Sequence, residues 1–356
     1  MITNFFLDNR IGGPHNYILN INKLIAKKNI QYITCGPSSI SKINLKNFRY
    51  YLKFLFIFEI IFNFFEILYL NKQKKIINKI FFVHGINNYA PVLAGCFLNK
   101  KIYWSIVETP SSINKKIFKI LRFFINFEII LISKKIAENL NIKEKYYYLP
   151  PYIDLNFWKK NKKEINSKKA NNKIVNLLCV GNINKEKGYH ILIDNLAKVN
   201  FDIELKIVGL KLNTQKKYYN NLIKKINFYK KNNKKFNVKL LGWKNKKELK
   251  KLYKNCDAFL LSSLQEGCPI VVLEAMSMEC FCIVSNVGNI SSFIKNMKSG
   301  LIFDYNKNNF LNRLNQFKSM KNKKKYKIKK SARKNIFKIF NNKEIYKSFY
   351  NKILLN

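Results

Sequence analysis

At 356 residues and 42.3 kDa the chain is too long for one compact core and too short for three, so two α/β domains of ordinary size are expected. A hydrophobic share of 47% excludes a disordered tail. The 67 basic and 20 acidic residues give a net charge of +47, which taken alone would point to nucleic acid or an anionic membrane. Only five of the basic residues are arginines, however, and the lysines alternate with Asn, Ile, Phe and Tyr along the whole chain, the residues that A/T-rich codons supply. Solvated lysine faces with a general attraction to acidic lipid are therefore expected, and nucleic acid is not expected as a partner.

In chain order, Met1 to Asp8 lacks the basic start, long apolar run and small-residue cleavage site of a secretory leader. Seven cysteines without a Cys-x-x-Cys pair read as buried thiols in a reducing compartment, so a cytoplasmic location and no zinc are expected. Apolar runs predict strands at Asn4–Leu7, Ile30–Thr34, Ile80–His84, Ile102–Val107 and Ile129–Ser133 in the first half. The second half predicts strands at Val175–Gly181, Glu204–Gly209, Val238–Leu241, Ala258–Ser262 and Cys282–Ser285. Their alternation with helical, lysine-rich segments reads as two Rossmann-like, doubly wound parallel sheets. The stretch Phe54–Leu70 is as long as the shortest membrane-spanning helices. Within it Glu59, Asn63 and Glu66 form one polar stripe, and two carboxylates at mid-bilayer would cost roughly 2.5–3.5 kcal/mol each. A buried or membrane-surface helix is favoured. The diproline at Pro150 and Pro151 and the polar Lys159–Lys173 mark the domain break, giving domains at 1–155 and 156–340 and a terminal helix at 341–356. In that helix Ile345, Phe349 and Ile353 stand at helical spacing beside Tyr346 and Tyr350, as expected of a segment returning to the first domain. The charge run Lys321–Lys330 reads as a solvated helix face or linker.

Ligands of parallel sheets bind beyond the carboxyl ends of the strands, so the residues just after each run carry the chemistry. The most informative stretch is Ala258 to Met278, a buried strand, a loop with Glu266 and Gly267, then Cys268, and a helix opened by Pro269 and Ile270 that carries Glu274 about one turn in. Such a turn aims backbone N–H groups and the positive helix end at a phosphate. Two carboxylates placed there can accept hydrogen bonds from neighbouring hydroxyls, where surface acids would be the bland alternative. In the first half His15, His84 and Glu108 are the polar candidates. His84 ends a strand before Gly85, Glu108 follows an apolar strand, and His15 reads equally as a helix cap. His190 reads as structural.

Glu266 and Glu274, with seven residues between them inside EGCPIVVLEAM, resemble the E-x7-E signature of GT-B nucleotide-sugar glycosyltransferases, in particular of retaining glycosyltransferase family 4. The run VGNINKEKG from Val180 to Gly188, with Gly181, Asn182 and Lys187, resembles the family's donor-phosphate loop. Leu205 to Gly209 and Leu240 to Trp243 resemble the next two strand ends, Leu149 to Phe157 the interdomain segment, and Gly12-Gly13-Pro14 the amino-terminal diglycine loop. The resemblance covers the whole chain, strongly in the second half. It implies a GT-B fold with two lobes facing a central cleft, and sugar transfer from a nucleoside-diphosphate sugar to a saccharide or lipid-linked hydroxyl acceptor with retention and no metal or other cofactor. It further implies that Glu266 binds sugar hydroxyls, Glu274 the ribose and Lys187 the diphosphate, while Gly13 lets the backbone approach and the acceptor side holds His84 and Glu108. Asn182 replaces the family's usual Arg, with Lys185 a possible substitute, and the run from Gly288 to Ser292 lacks a usual carboxylate. Cell-surface polysaccharide or glycolipid assembly at the inner face of the membrane would suit the basic surface. The rival readings are a nucleotide-sugar epimerase of the same architecture, a basic nucleic-acid-binding protein, and a sugar-binding lobe without turnover.

Overall fold

The computed structural model describes residues 2–7, 30–35, 55–160, 174–340 and 343–355. Two compact units divide the chain, the first holding Met1–Tyr152 with Asn342–Asn356 and the second Ile153–Asn341.

The described part of the first unit has six strands, β1 (Ile2–Leu7), β2 (Ile30–Cys35), β3 (Ile80–His84), β4 (Lys101–Ile106), β5 (Glu128–Leu131) and β6 (Tyr147–Tyr148). All pair in parallel, in the order β2-β1-β3-β4-β5-β6. Its described helices before the terminal one are α1 (Leu55–Lys72), α2 (Tyr89–Phe97), α3 (Ser112–Phe124) and α4 (Lys134–Leu140). Ser111 and Ser133 open α3 and α4 by accepting a backbone N–H three residues on, which fixes where those helices begin. Strands β3 and β4 are almost wholly apolar because helices cover them. At their centre Trp104 is fully buried, edge-on to Tyr89 at 5.9 Å and against Phe118 at 5.5 Å, with Nε1 donating to the Gly85 carbonyl at 2.9 Å.

Helix α1 holds a surprise in its orientation. Its polar stripe turns toward the unit, with Asn63 buried and Glu59 and Glu66 half-buried, and burial pushes the Glu66 carboxyl above its ordinary value. Phe58, Phe62 and Phe65 stand outward. No helix among the described residues is long and apolar enough to cross a membrane.

The second unit has β7 (Val175–Val180), β8 (Ile203–Val208), β9 (Phe236–Leu240), β10 (Ala258–Leu261), β11 (Phe281–Ser285) and β12 (Leu301–Phe303), again all parallel, in the order β12-β11-β10-β7-β8-β9. Its described helices are α5 (Tyr189–Leu196), α6 (Lys216–Asn232), α7 (Lys246–Asn255), α8 (Ile270–Ser277), α9 (Ile290–Phe293), α10 (Phe310–Ser319) and α11 (Asn322–Phe340). The lysine run expected to be a solvated face or linker is the start of α11, which buries Ile328, Ala332, Ile336 and Phe340. The terminal helix α12 (Lys343–Leu355) groups with the first unit. Tyr346 there donates to the Pro150 carbonyl, and Phe349 sits edge-on to the Phe82, Tyr103 and Tyr147 rings. Ile345, expected on the same face, is exposed, so Tyr346 and Phe349 define the inward side.

The sequence pattern misses β6 and β12, which have two and three residues and so no run long enough to read. The expectation of uniformly buried thiols also needs correcting. Cys96, at the end of α2, is exposed, whereas Cys179, Cys268, Cys280 and Cys282 are buried in the second unit.

Trp104→Ala should cost about 3–5 kcal/mol, since the cavity is lined by the Tyr89, Phe118 and Phe127 rings, which cannot collapse onto it, and the Gly85 carbonyl loses one of its two donors. Urea unfolding of the parent and variant checks this.

Candidate functional site

The winding of the second sheet reverses at β7. From β7 the chain steps outward through β8 and β9, then returns so that β10 pairs with the other side of β7 and β11 and β12 follow. The loops after β7 and β10 therefore flank the point where neighbouring connections leave to opposite sides, where a parallel sheet opens a crevice for a ligand. Lys187 lies in the first of these loops and Glu266 in the second.

Backbone contacts hold the two loops together. Gly181 follows β7, its carbonyl accepts from the Tyr189 hydroxyl at 2.9 Å, and a methyl group at Gly209 would lie 1.9 Å from that same carbonyl oxygen. The strand ends of β7 and β8 thus meet backbone to backbone, which a side chain would prevent. The Asn184 side chain accepts the Lys187 N–H at 3.1 Å and closes the single 3-10 turn Lys185–Lys187. Gly188 then adopts φ +65°, and a methyl there would lie 2.2 Å from the Ser262 carbonyl oxygen. Ser262 Oγ donates to the Lys187 carbonyl at 2.7 Å, and the Leu264 N–H donates to the Glu186 carbonyl at 2.7 Å. Held this way, Lys187 Nζ lies 2.5 Å from Glu266 Oε1, and Ser263 Oγ donates to that oxygen at 2.6 Å. With 22% and 13% of their side chains exposed, the two charges are sheltered but reachable.

After Glu266 and Gly267 the chain buries Cys268, whose thiol burial pushes up to about 12 while the Asn289 amide opposes the shift. A methyl at Gly288, where φ is +56°, would fall 2.6 Å from the Glu266 carbonyl oxygen, so the loop after β11 packs directly on this turn. Pro269 takes the N-cap position and Ile270 is the first helical residue of α8. The expected proline at the first helical position is therefore shifted by one, and no side chain caps this helix start. Glu274 is half-buried by accessible area yet hemmed in by protein atoms. Burial pushes its carboxyl up to about 7, against the hydrogen bond from the Tyr253 hydroxyl at 3.1 Å and the charge of Lys246. Asn182, in place of an expected cation, accepts weakly from the Leu210 N–H at 3.4 Å, and Lys185 is exposed. His190 meets the Tyr218 hydroxyl at 3.1 Å, in keeping with a structural role.

In the first unit His84 and Glu108 stand at the carboxyl ends of the paired strands β3 and β4. The Glu108 carboxylate lies over Gly85, where a methyl would meet Oε1 at 3.1 Å, and the positive φ of +88° there is one that glycine tolerates. His84 is 4% exposed, its ring against Phe82, and burial pushes the imidazole down to about 3. It is an interior group rather than the open cleft residue expected from its strand-end position. Burial and the nearby Glu108 raise the Tyr89 hydroxyl to about 12. Gly13 and His15 lie outside the described residues.

Four residues that position the second-unit site escape the sequence reading. Ser262 ends and Ser263 follows the strand expected at Ala258–Ser262, so both are readable as strand-end ligands, and Asn184 stands three residues before Lys187, a capping interval. Tyr253, the partner of Glu274, gives no sequence signal. Among the described residues no group of three or more His, Cys, Asp or Glu could hold a metal ion.

Residues 159–335 match the family described as Glycosyl transferases group 1, so the second unit carries that domain. A UDP-Gal:alpha-D-GlcNAc-diphosphoundecaprenol alpha-1,3-galactosyltransferase of Escherichia coli is 40% identical over 76 residues, 21% of this chain and 19% of that protein. An uncharacterized glycosyltransferase of Methanocaldococcus jannaschii is 33% identical over 132 residues, 37% of this chain and 32% of that protein. The chain thus spans a third or less of the length of these curated relatives. Among solved structures, Anabaena HepE in complex with UDP and glucose superposes with a TM-score of 0.74 at 16% identity, covering 100% of this chain and 99% of that one. At that identity the likeness establishes the fold, a pair of parallel-sheet α/β units of the GT-B type.

The raised Glu274 carboxyl has a consequence for stability. Its folded value of about 7 exceeds the ordinary 4.5, so the neutral form is favoured in the fold. Stability from this group is complete below the unfolded value and is lost as pH rises toward the folded one. Glu274→Gln should therefore gain about 3 kcal/mol on the parent between about pH 4 and pH 8. Urea titrations of both proteins at the two pH values measure the change.

Proposed function

We propose that this chain is a retaining glycosyltransferase of family 4 that moves a sugar from a nucleoside-diphosphate donor to a hydroxyl acceptor. The observation that carries the reading is the Lys187 and Glu266 pair, 2.5 Å apart across the reversal point of the second sheet. A cation and a carboxylate held there match the two ends of such a donor. Lys187 neutralises the diphosphate, Glu266 accepts from hydroxyls of the transferred sugar, and Glu274 accepts from the ribose. Asn182, Gly267, Cys268 and Ile270 offer backbone N–H groups to the phosphates, the last three at the uncapped start of α8, while Gly181, whose own N–H goes to the Val208 carbonyl, and Pro269, which has none, shape the two turns.

In the proposed reaction the bond from the anomeric carbon to the diphosphate oxygen breaks, leaving an oxocarbenium-like sugar. The acceptor hydroxyl attacks the same face and its proton passes to the departing diphosphate, so charge balances without a further base. Negative charge grows on the diphosphate as the bond breaks, so Lys187 and the backbone donors act more strongly on the transition state than on the bound donor. These groups supply the positive charge, and no metal is assigned a role. The reading assigns the acceptor to Glu108 and His84, at the neighbouring ends of β4 and β3 in the first unit.

The Escherichia coli relative is named for a UDP-linked donor and a diphosphoundecaprenol-linked acceptor, and the Anabaena structure holds UDP and glucose. Both favour a uridine donor here, and the first favours a lipid-linked acceptor. That acceptor would set the enzyme to work at the inner face of a membrane, in cell-surface polysaccharide or glycolipid assembly.

Release of nucleoside diphosphate from UDP-, GDP-, ADP- and dTDP-sugars tests the reading. Turnover should appear with one donor class and fall about 10²–10³-fold in Lys187→Ala, the loss typical of one such transition-state contact. Glu274→Ala should mainly raise the donor KM. Conversion of the donor sugar without acceptor would make the protein an epimerase, and unchanged turnover in both variants would remove these residues from the site.

A further inference from the structure

The described helices α1, α2 and α3 form one layer on one face of the first sheet. Trp104 of β4 touches Tyr89 of α2 and Phe118 of α3 with the same ring, so both helices lie on the side to which it points. Helix α1 packs on α2, and Phe64 meets Phe97 edge-on at 6.0 Å at the end of that contact.

The outer side of this layer has the wrong polarity for a face meant only for water. On α1 Phe58, Phe62, Phe65 and Tyr69 are between 55% and 66% exposed, while the polar stripe is turned inward. On α3 Ile120, Phe123 and Phe124 are 58%, 83% and 75% exposed. Lys115, Lys116 and Lys119 are exposed among them, Lys116 on the same helical face as Ile120 and the others flanking it. The three helices hold only two carboxylates, Glu59 and Glu66, both withdrawn toward the unit. Beside α3 the exposed Glu144 is neutralised by Arg122, and an outer surface of aromatic rings and ammonium groups, with no acid of its own facing out from these helices, is complementary to the interface of an anionic bilayer. Rings enter the acyl boundary and lysines reach the phosphates. A second copy of this chain is a poor match, because its net charge of +47 repels itself.

We infer that the outer face of α1 and α3 docks the protein on anionic lipid, with α1 lying in the interface by its aromatic side. This gives the expected general attraction to acidic lipid a specific surface. It deepens the proposed lipid-linked reading but is measured independently of it, because vesicle binding needs no turnover.

The experiment is flotation of the full chain with phosphatidylcholine vesicles with or without about a third phosphatidylglycerol, alongside donor turnover and circular dichroism of each variant. Binding should require the anionic lipid and be largely reversed by about 0.5 M salt. Phe58→Ser with Phe62→Ser, and separately Phe123→Ser with Phe124→Ser, should each weaken it about tenfold or more, with unchanged spectra since these rings are exposed. Lys115→Gln, Lys116→Gln and Lys119→Gln together should weaken it about a hundredfold. Equal binding to neutral and anionic vesicles, or variants that bind like the parent, would overturn the inference. So would a dimer in vesicle-free buffer that the Phe58 and Phe62 substitutions dissociate, which would assign the face to a second copy. Loss of donor turnover with vesicle binding intact would instead count against the glycosyltransferase reading alone.

Discussion

The ion pair between Lys187 and Glu266 depends on a constraint more basic than its own charges, the close backbone approach of the loops after β7 and β10. Gly188 makes it possible, because at φ +65° and 2.2 Å from the Ser262 carbonyl no side chain fits. Ser262 and Leu264 then tie the same loops through the Lys187 and Glu186 carbonyls. A partly exposed ion pair alone contributes little, since solvent screening and side-chain entropy offset most of its attraction. Its value lies in position. The sheet's reversal supplies a crevice, the backbone stitches keep the loops from spreading, and Ser263 adds a second donor to the oxygen that Lys187 faces. Opposite charges are thereby fixed side by side before any ligand arrives, and a preorganised site of this kind loses little to reorganisation when charge develops.

Burial shapes the carboxylates differently at the two ends of the EGCPIVVLEAM segment. Glu266, in the loop, is met by an ammonium and a hydroxyl, whereas Glu274, a turn into α8, accepts from the Tyr253 hydroxyl and is shifted upward by burial. In the first unit burial at the end of an apolar strand, with the ring against Phe82, likewise lowers the His84 imidazole.

Much of the architecture was legible in the residues. Ten of the twelve described strands announce themselves as apolar runs, since parallel strands covered on both faces carry no polar alternation. The loop after β7 and the segment after β10 could be singled out from glycines, a proline and scarce acids. The strands β6 and β12 could not, being too short for a pattern, and Tyr253 could not, because its contact with Glu274 joins two helices through space rather than along the chain. Cys96 was misjudged for a related reason, as apolar neighbours in sequence do not prevent a helix end from facing solvent.

The sequence by itself determined the alternation of strands and helices, the two parallel sheets and the chemical kind of residue at each strand end, because these follow from local periodicity and backbone preference. Tertiary structure alone decided which residues meet. It chose the sheet order that puts the loops of Lys187 and Glu266 side by side, and it chose which side of α1 faces the core. A helical stripe of Glu59, Asn63 and Glu66 fixes only that these side chains share a face; the packing of α1 on α2 turns that face inward and leaves the aromatic one outside. Periodicity is a property of one element, whereas orientation is set by the free energy of all the elements packed against it.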